Sequence, residues 1–194
     1  GVFIISPNDK GGKLYEPTDQ LADLCKPLNP MQFNDLYCWS RPDIHTLSMG
    51  VSRPQDFDTH IEALSHLEYA EKLVAPIDQA IRAKVAKTIH PDWLEKWAEG
   101  LPEWETLPNG IHVKEIVRLW TWAKTLDMTE FGKMRYNLLG NAEHWFPGQK
   151  YSDHNKDEMK AALSQSPFAD MIPDILKEAH DMLNAEEVKR LSES

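Results

Sequence analysis

Beyond Pro76 nothing in the chain reads as a β-strand, and this loss of strand signal constrains the fold more than any other feature of the 194 residues. Apolar residues there recur at helical spacing. The pattern predicts helices over 77–89, 92–99, 113–126, 129–139, 155–165 and 170–183. The breaks between them carry proline: His90-Pro91, Gly100-Leu101-Pro102, Pro108-Asn109-Gly110 and Phe146-Pro147-Gly148. Each sets a residue without a backbone donor beside a turn former or a cap. The last stretch, 185–194, with Glu186, Glu187, Lys189 and Arg190, reads as a short solvated helix or fraying tail.

The first 75 residues read differently, because strand and helix signals alternate. Val2-Phe3-Ile4-Ile5 is a β-branched and aromatic run that stops at Ser6-Pro7-Asn8 and a Gly11-Gly12 turn. Thr18 is a cap for a short helix through Leu24, and Asn29-Pro30 opens a second one through Trp39. Arg41-Pro42-Asp43 breaks it, and 44–49 is a second short strand. A helical connection between two strands is what a right-handed parallel crossover requires. A long amphipathic helix over 54–73 follows, with Phe57, Ile61, Leu64, Leu67 and Leu73 on its apolar side. The expected organisation is a β-α-β segment over 1–75, a boundary near Ala75-Pro76, and an all-α domain over 76–194.

Charge and cysteine content exclude several classes. With 21 Lys and Arg against 31 Asp and Glu, the formal net charge is −10 and the basic residues are scattered, which argues against nucleic-acid binding. No apolar run approaches the roughly 20 residues needed to cross a bilayer, so no membrane association is expected. Two cysteines, Cys25 and Cys38, are too few for a disulfide framework and suggest a reducing, cytoplasmic setting, although one bridge between them stays open. The chain opens at Gly1 directly into an apolar strand without a signal-peptide pattern, and this reads as the continuation of a longer chain.

Two of these stretches carry a family resemblance. The run 1–14, with its apolar strand, Ser6-Pro7, the glycines and Leu14, resembles the seventh strand and following loop of aldo/keto reductases. The run 50–61, Gly50-Val51-Ser52-Arg53-Pro54 through Ile61, resembles their eighth strand end and the start of the last barrel helix. In that family these segments hold the nicotinamide cofactor, NADP or NAD, since backbone amides and a helix N-terminus stabilise a diphosphate. The resemblance therefore implies Ser6, Pro7, Lys10, Leu14, Gly50, Ser52, Asp56 and His60 as cofactor-binding positions. Many family members place Arg, Gln and Asn where Ser52, Asp56 and His60 align, and Asp56 would repel an adenosine phosphate. The family's Tyr, Lys, Asp and His lie on earlier strands outside the matched segments. Tyr15, Tyr37 and Lys10 have no spacing that would replace them, so no catalytic residue is assigned.

The helical part resembles a ferredoxin-bearing branch of the same reductases through Asn109 to Ile116, Lys133 to Leu139 and His144-Trp145-Phe146-Pro147-Gly148. That branch carries two C-x2-C-x2-C-x3-C-P runs that hold [4Fe–4S] clusters. Both prolines remain, as Pro108 and Pro167. The eight ligand positions are Trp97, Gly100, Glu103 and Leu107, then Lys156, Met159, Ala162 and Ser166, and none is cysteine. The resemblance thus implies a mainly α fold, a helical ferredoxin-like domain preceded by a β-α-β piece of a TIM-barrel edge. No iron–sulfur cluster and no metal site are expected; a packed core should stand in the clusters' place.

Other constellations favour structure over chemistry. Trp93, Trp97, Trp104, Trp120, Trp122 and Trp145 read as core fillers, with Trp145 and Phe146 anchoring a turn, and the eight histidines show no H-E-x-x-H spacing. Arg135 and Tyr136 read as interior groups tying helices together. The functional expectation is the C-terminal portion of an NAD(P)-linked oxidoreductase, non-catalytic by itself and without bound cofactor. The alternative is a helical protein-binding or assembly module. Unpaired strand edges suggest a homo-oligomer for either.

Overall fold

The short apolar runs at the start of the chain pair as read. In the computed structural model, which describes residues 1–8 and 12–185, Val2–Ile5 forms β1 and Ile44–Ser48 forms β2. The strands run parallel, with Ile4 opposite Leu47 and Ile5 opposite Ser48. The crossover between them carries α1, Asp19–Leu24, and α2, Pro30–Trp39. Both helices begin where side-chain oxygens can accept from otherwise orphaned amides. The Thr18 hydroxyl accepts from the Leu21 amide at 3.1 Å. Asn29 and Gln32 satisfy each other's backbone amides at 2.9 and 3.0 Å, a reciprocal capping box that fixes the start of α2. Helix α2 packs on β2 and on α3, Pro54–Leu64.

The long helix expected over 54–73 is divided. After Leu64 the Ser65 hydroxyl takes the Glu62 carbonyl at 2.6 Å, and the amides of Ser65 and His66 reach back only three residues, which tightens and ends the turn. A single 3-10 turn over Leu67–Tyr69 leads into α4, Ala70–Thr88. Pro76, expected at a break, lies inside this helix. Ala70, Val74, Ile77 and Val85 form one buried stripe that continues across the proline. Its packing outweighs the single backbone bond lost at an exposed position.

The chain folds as two compact units, Gly1–Lys84 and Val85–Ser194, dividing inside α4. The second unit contains α5, Trp93–Lys96; α6, Val113–Leu126; α7, Thr129–Tyr136; α8, Lys156–Ala162; and α9, Ile172–Leu183. Its core is the contact of α6 with α7 and α9. Ile116, Leu119, Ile172, Leu176 and Leu183 are all fully buried, each worth about 1.5–3 kcal/mol relative to water. Gly132 lets α7 approach α9 closely, since a Cβ there would stand 2.8 Å from Leu183 Cδ2. Trp93 is fully buried, with its indole N–H donating to Thr121 Oγ1 at 2.9 Å and its ring 4.9 Å from Phe168 and 5.9 Å from Trp120. Tyr136 ties helices as expected: its hydroxyl meets His180 Nδ1 at 2.7 Å and accepts from the Tyr151 amide at 3.1 Å. Arg135 lies over the buried Phe146 ring, 4.2 Å from its centre. Trp145, by contrast, is no filler, for it is 83% exposed.

The described residues are thus mainly helical, with one small two-stranded parallel sheet. Among them no helix is long and apolar enough to cross a membrane, and both cysteines are free and buried. The expected tail over 186–194 lies outside the described residues.

Candidate functional site

Because β1 and β2 are parallel, their carboxyl ends lie on the same side, and the segments that follow them converge there. Between those segments is a pocket of about 410 Å³. Leu14, Tyr15 and Pro17 come from the segment after β1, and Arg53, Gln55, Asp56 and Thr59 from the start of α3. Asn29, Pro30 and Met31, at the head of α2, complete the wall.

Asp56 sets the electrostatics. Its Oδ2 accepts from the backbone amides of Ser52 and Arg53, both at 2.9 Å, and its Oδ1 accepts from the Arg53 guanidinium at 3.2 Å. Burial pushes the carboxyl up, but the two amides and the guanidinium outweigh it and hold it below the usual carboxylate range. The side chain is almost fully buried, so the chain's own carboxylate takes the place an incoming anion would seek before α3. Arg53 also donates to the Tyr15 carbonyl at 3.0 Å, which fastens the two walls.

The structure distributes the eight sequence-predicted positions unevenly. Leu14 and Asp56 line the pocket, and Ser52 is tied to Asp56 through its amide. Ser6, with φ of +52°, continues the sheet by donating its amide to Ser48 at 2.9 Å, beside the half-buried Pro7. Gly50 is half-buried before α3. Lys10 lies outside the described residues. His60 faces α2: its Nδ1 meets the fully buried Asp35 at 2.5 Å. Asn8 donates to Asp35 at 3.0 Å and accepts from Asn34 at 3.0 Å. Burial pushes the Asp35 carboxyl up, while Asn8 and His60 draw it down less strongly. This network was missed in the sequence, although Asp35 offered a signal by occupying a core position between Met31 and Cys38 at helical spacing. Tyr15 borders the pocket; Tyr37 is elsewhere, under Arg41 at 4.4 Å.

The eight positions aligned with cluster ligands lie in the second unit. Leu107, Met159 and Ser166 are buried, Trp97 and Ala162 are half-buried, and Gly100, Glu103 and Lys156 are exposed, so apolar filling is confined to part of the set. Glu103 pairs with Lys114. The two segments meet in crossed order. Gly100 abuts the end of the second run, where an added Cβ would be 2.1 Å from the Gln165 carbonyl oxygen and 2.9 Å from the Ser166 amide. Asn109, just after the first run, donates to Ser152 and to the Asp153 carbonyl at 3.2 and 3.1 Å, just before the second. These residues do not fit a cluster: no thiolate is present, and position 100 has no room for any side chain. Among the described residues no group of three or more His, Cys, Asp or Glu side chains is placed to hold a metal ion.

No family model, curated protein or solved structure matches the chain.

Proposed function

We propose that this chain is the C-terminal portion of an NAD(P)-linked, cytoplasmic aldo/keto reductase-type oxidoreductase. It supplies one corner of the cofactor site and no catalytic residue, and its helical unit is ferredoxin-like without clusters. One observation carries the reading: Leu14, at the end of the first resembling segment, and Arg53, Gln55, Asp56 and Thr59 of the second, far apart in sequence, line a single pocket. Its volume suits a nucleoside-sized group. Leu14, Tyr15 and Met31 offer apolar surface, and Asp56 disfavours a phosphate beside it. The crossed meeting of Gly100 with Gln165-Ser166 supports the ferredoxin-like part, because in two-cluster ferredoxins the fourth ligand of one run serves the other cluster. Sequencing the transcript upstream of the Gly1 codon tests the parentage. The expected result is an open frame encoding the preceding β/α units with their Tyr, Lys, Asp and His; a stop codon directly upstream would sink it. Titration calorimetry of the chain alone with NADPH should show no saturable heat.

The exposure of Val2, Phe3 and Ile5 on a two-stranded sheet suits self-association under this reading and under the alternative of a helical protein-binding or assembly module. Light scattering that finds a homo-oligomer, dispersed by Phe3→Lys, would support association through the sheet.

A further inference from the structure

Helix α3 buries one row of side chains and leaves a second apolar row in water. Asp56, His60 and Ala63 form the buried row on the helix that packs against α2. Phe57, Ile61 and Leu64, with the same i, i+4, i+7 spacing, are 58, 63 and 48% exposed. Leu67 and Tyr69, in the turn after the helix, are exposed as well. Single exposed apolar residues need no explanation, but a contiguous ridge of this kind marks an interaction surface.

Charge narrows what can cover the ridge. Between Pro54 and Glu71 the chain places Asp56, Asp58, Glu62, Glu68 and Glu71 and not one Lys or Arg. All of these acids except Asp56 are exposed. Helical spacing sets Asp58 and Glu62 in the row next to the ridge, on the side away from the buried one. A second copy of the chain meeting this face through its own would bring acid against acid, which costs rather than contributes. An apolar ridge flanked by Lys or Arg satisfies both features at once. The geometry points to α3 as the docking face for a basic amphipathic helix of a partner protein, with Phe57, Ile61 and Leu64 as anchors and Asp58 and Glu62 setting sign and register. The pocket residues Gln55 and Thr59 lie on the opposite side of the helix, so the inference does not depend on the cofactor reading.

Three fluorescent helical peptides of about 14 residues test it by anisotropy with the full chain: Leu/Lys, Ser/Lys with the same charge, and Leu/Glu. Only the Leu/Lys peptide should bind, and its affinity should fall as salt rises. Ile61→Asp should weaken it roughly tenfold or more. The double reversal Asp58→Lys with Glu62→Lys should transfer binding to the Leu/Glu peptide; all three positions are exposed, so circular dichroism should stay unchanged. Equal binding of the Ser/Lys peptide would reduce the effect to net charge and overturn the proposal. So would a reversal variant that keeps the original preference, or a dimer in light scattering that Ile61→Asp dissociates, which would assign the ridge to a second copy.

Discussion

Replacing Gly100 with alanine tests the crossed packing of the helical unit, and Gly110 supplies its internal control. Both glycines have φ of +68°. An alanine in that left-handed conformation costs about 1–2 kcal/mol at either position. At Gly110 the new methyl would meet Gln149 Cγ at 3.6 Å and the Trp104 ring at 3.8 Å, which is ordinary contact. At Gly100 it would meet the Gln165 carbonyl oxygen at 2.1 Å and carbon at 2.4 Å. That backbone is held by the Ser166 amide donating to Leu163 at 2.8 Å and the Phe168 amide donating to Ser166 Oγ at 3.2 Å, so it cannot yield freely. Forcing it aside adds about 1–3 kcal/mol, and Gly100→Ala should lose about 2–5 kcal/mol in all. With a urea dependence of about 2 kcal/mol/M, the midpoint falls by roughly 1–2.5 M, against about 0.5–1 M for Gly110→Ala. Tryptophan fluorescence is a suitable readout, because six of the seven tryptophans lie between Trp93 and Trp145. Equal losses in the two variants would refute the close contact of Gly100 with Gln165 and Ser166.

Two further outcomes are expected. His112 Nδ1 accepts from the Glu115 amide at 3.3 Å at the head of α6, and burial pushes its pKa below 6.5. The folded state therefore prefers neutral imidazole, and this contribution, present above about pH 6.5, is lost as pH falls through the lowered value. His112→Asn keeps a capping oxygen and should flatten the decline in stability between about pH 7 and pH 5, measured by urea unfolding. The flattening should be partial, because burial and Lys150 lower His180 as well, and an unchanged slope would refute the assignment. Asp56→Ala leaves the amides of Ser52 and Arg53 without their acceptor and should cost about 1–3 kcal/mol. Amide exchange at Ser52 and Arg53 should accelerate; unchanged rates there would show that the carboxylate does not hold the start of α3.

What the sequence made legible was mostly local. Thr18 and Asn29 announced α1 and α2 because capping depends on residues within one turn, and the alternation of strand and helix pointed to the parallel pair. Helix α6 was also readable from its own apolar period. Pro76 misled, because the stripe from Ala70 to Val85 is tertiary and local breaker chemistry does not weigh it. Ser65 ended α3 through a side-chain bond that periodicity alone ignores. Leu14 and Asp56, expected as cofactor positions, line the pocket, but the capture of the Ser52 and Arg53 amides by Asp56 emerges only from the folded geometry. His60 was assigned to a ligand, whereas its partner is Asp35, a contact across 25 positions that no spacing rule reveals. Gly100 reads in the sequence as a helix break and an aligned ligand position, and its contact with Gln165 across the unit is tertiary.

The proposed reading of the helical unit, a ferredoxin-like arrangement that cannot hold a cluster, has a direct chemical test. Anaerobic incubation of the purified chain with ferrous iron and sulfide, followed by desalting, iron and sulfide analysis and visible absorption, tests this most directly. The prediction is no retained iron or sulfide and no charge-transfer band. About four of each per chain with the broad absorption of a [4Fe–4S] centre would contradict it.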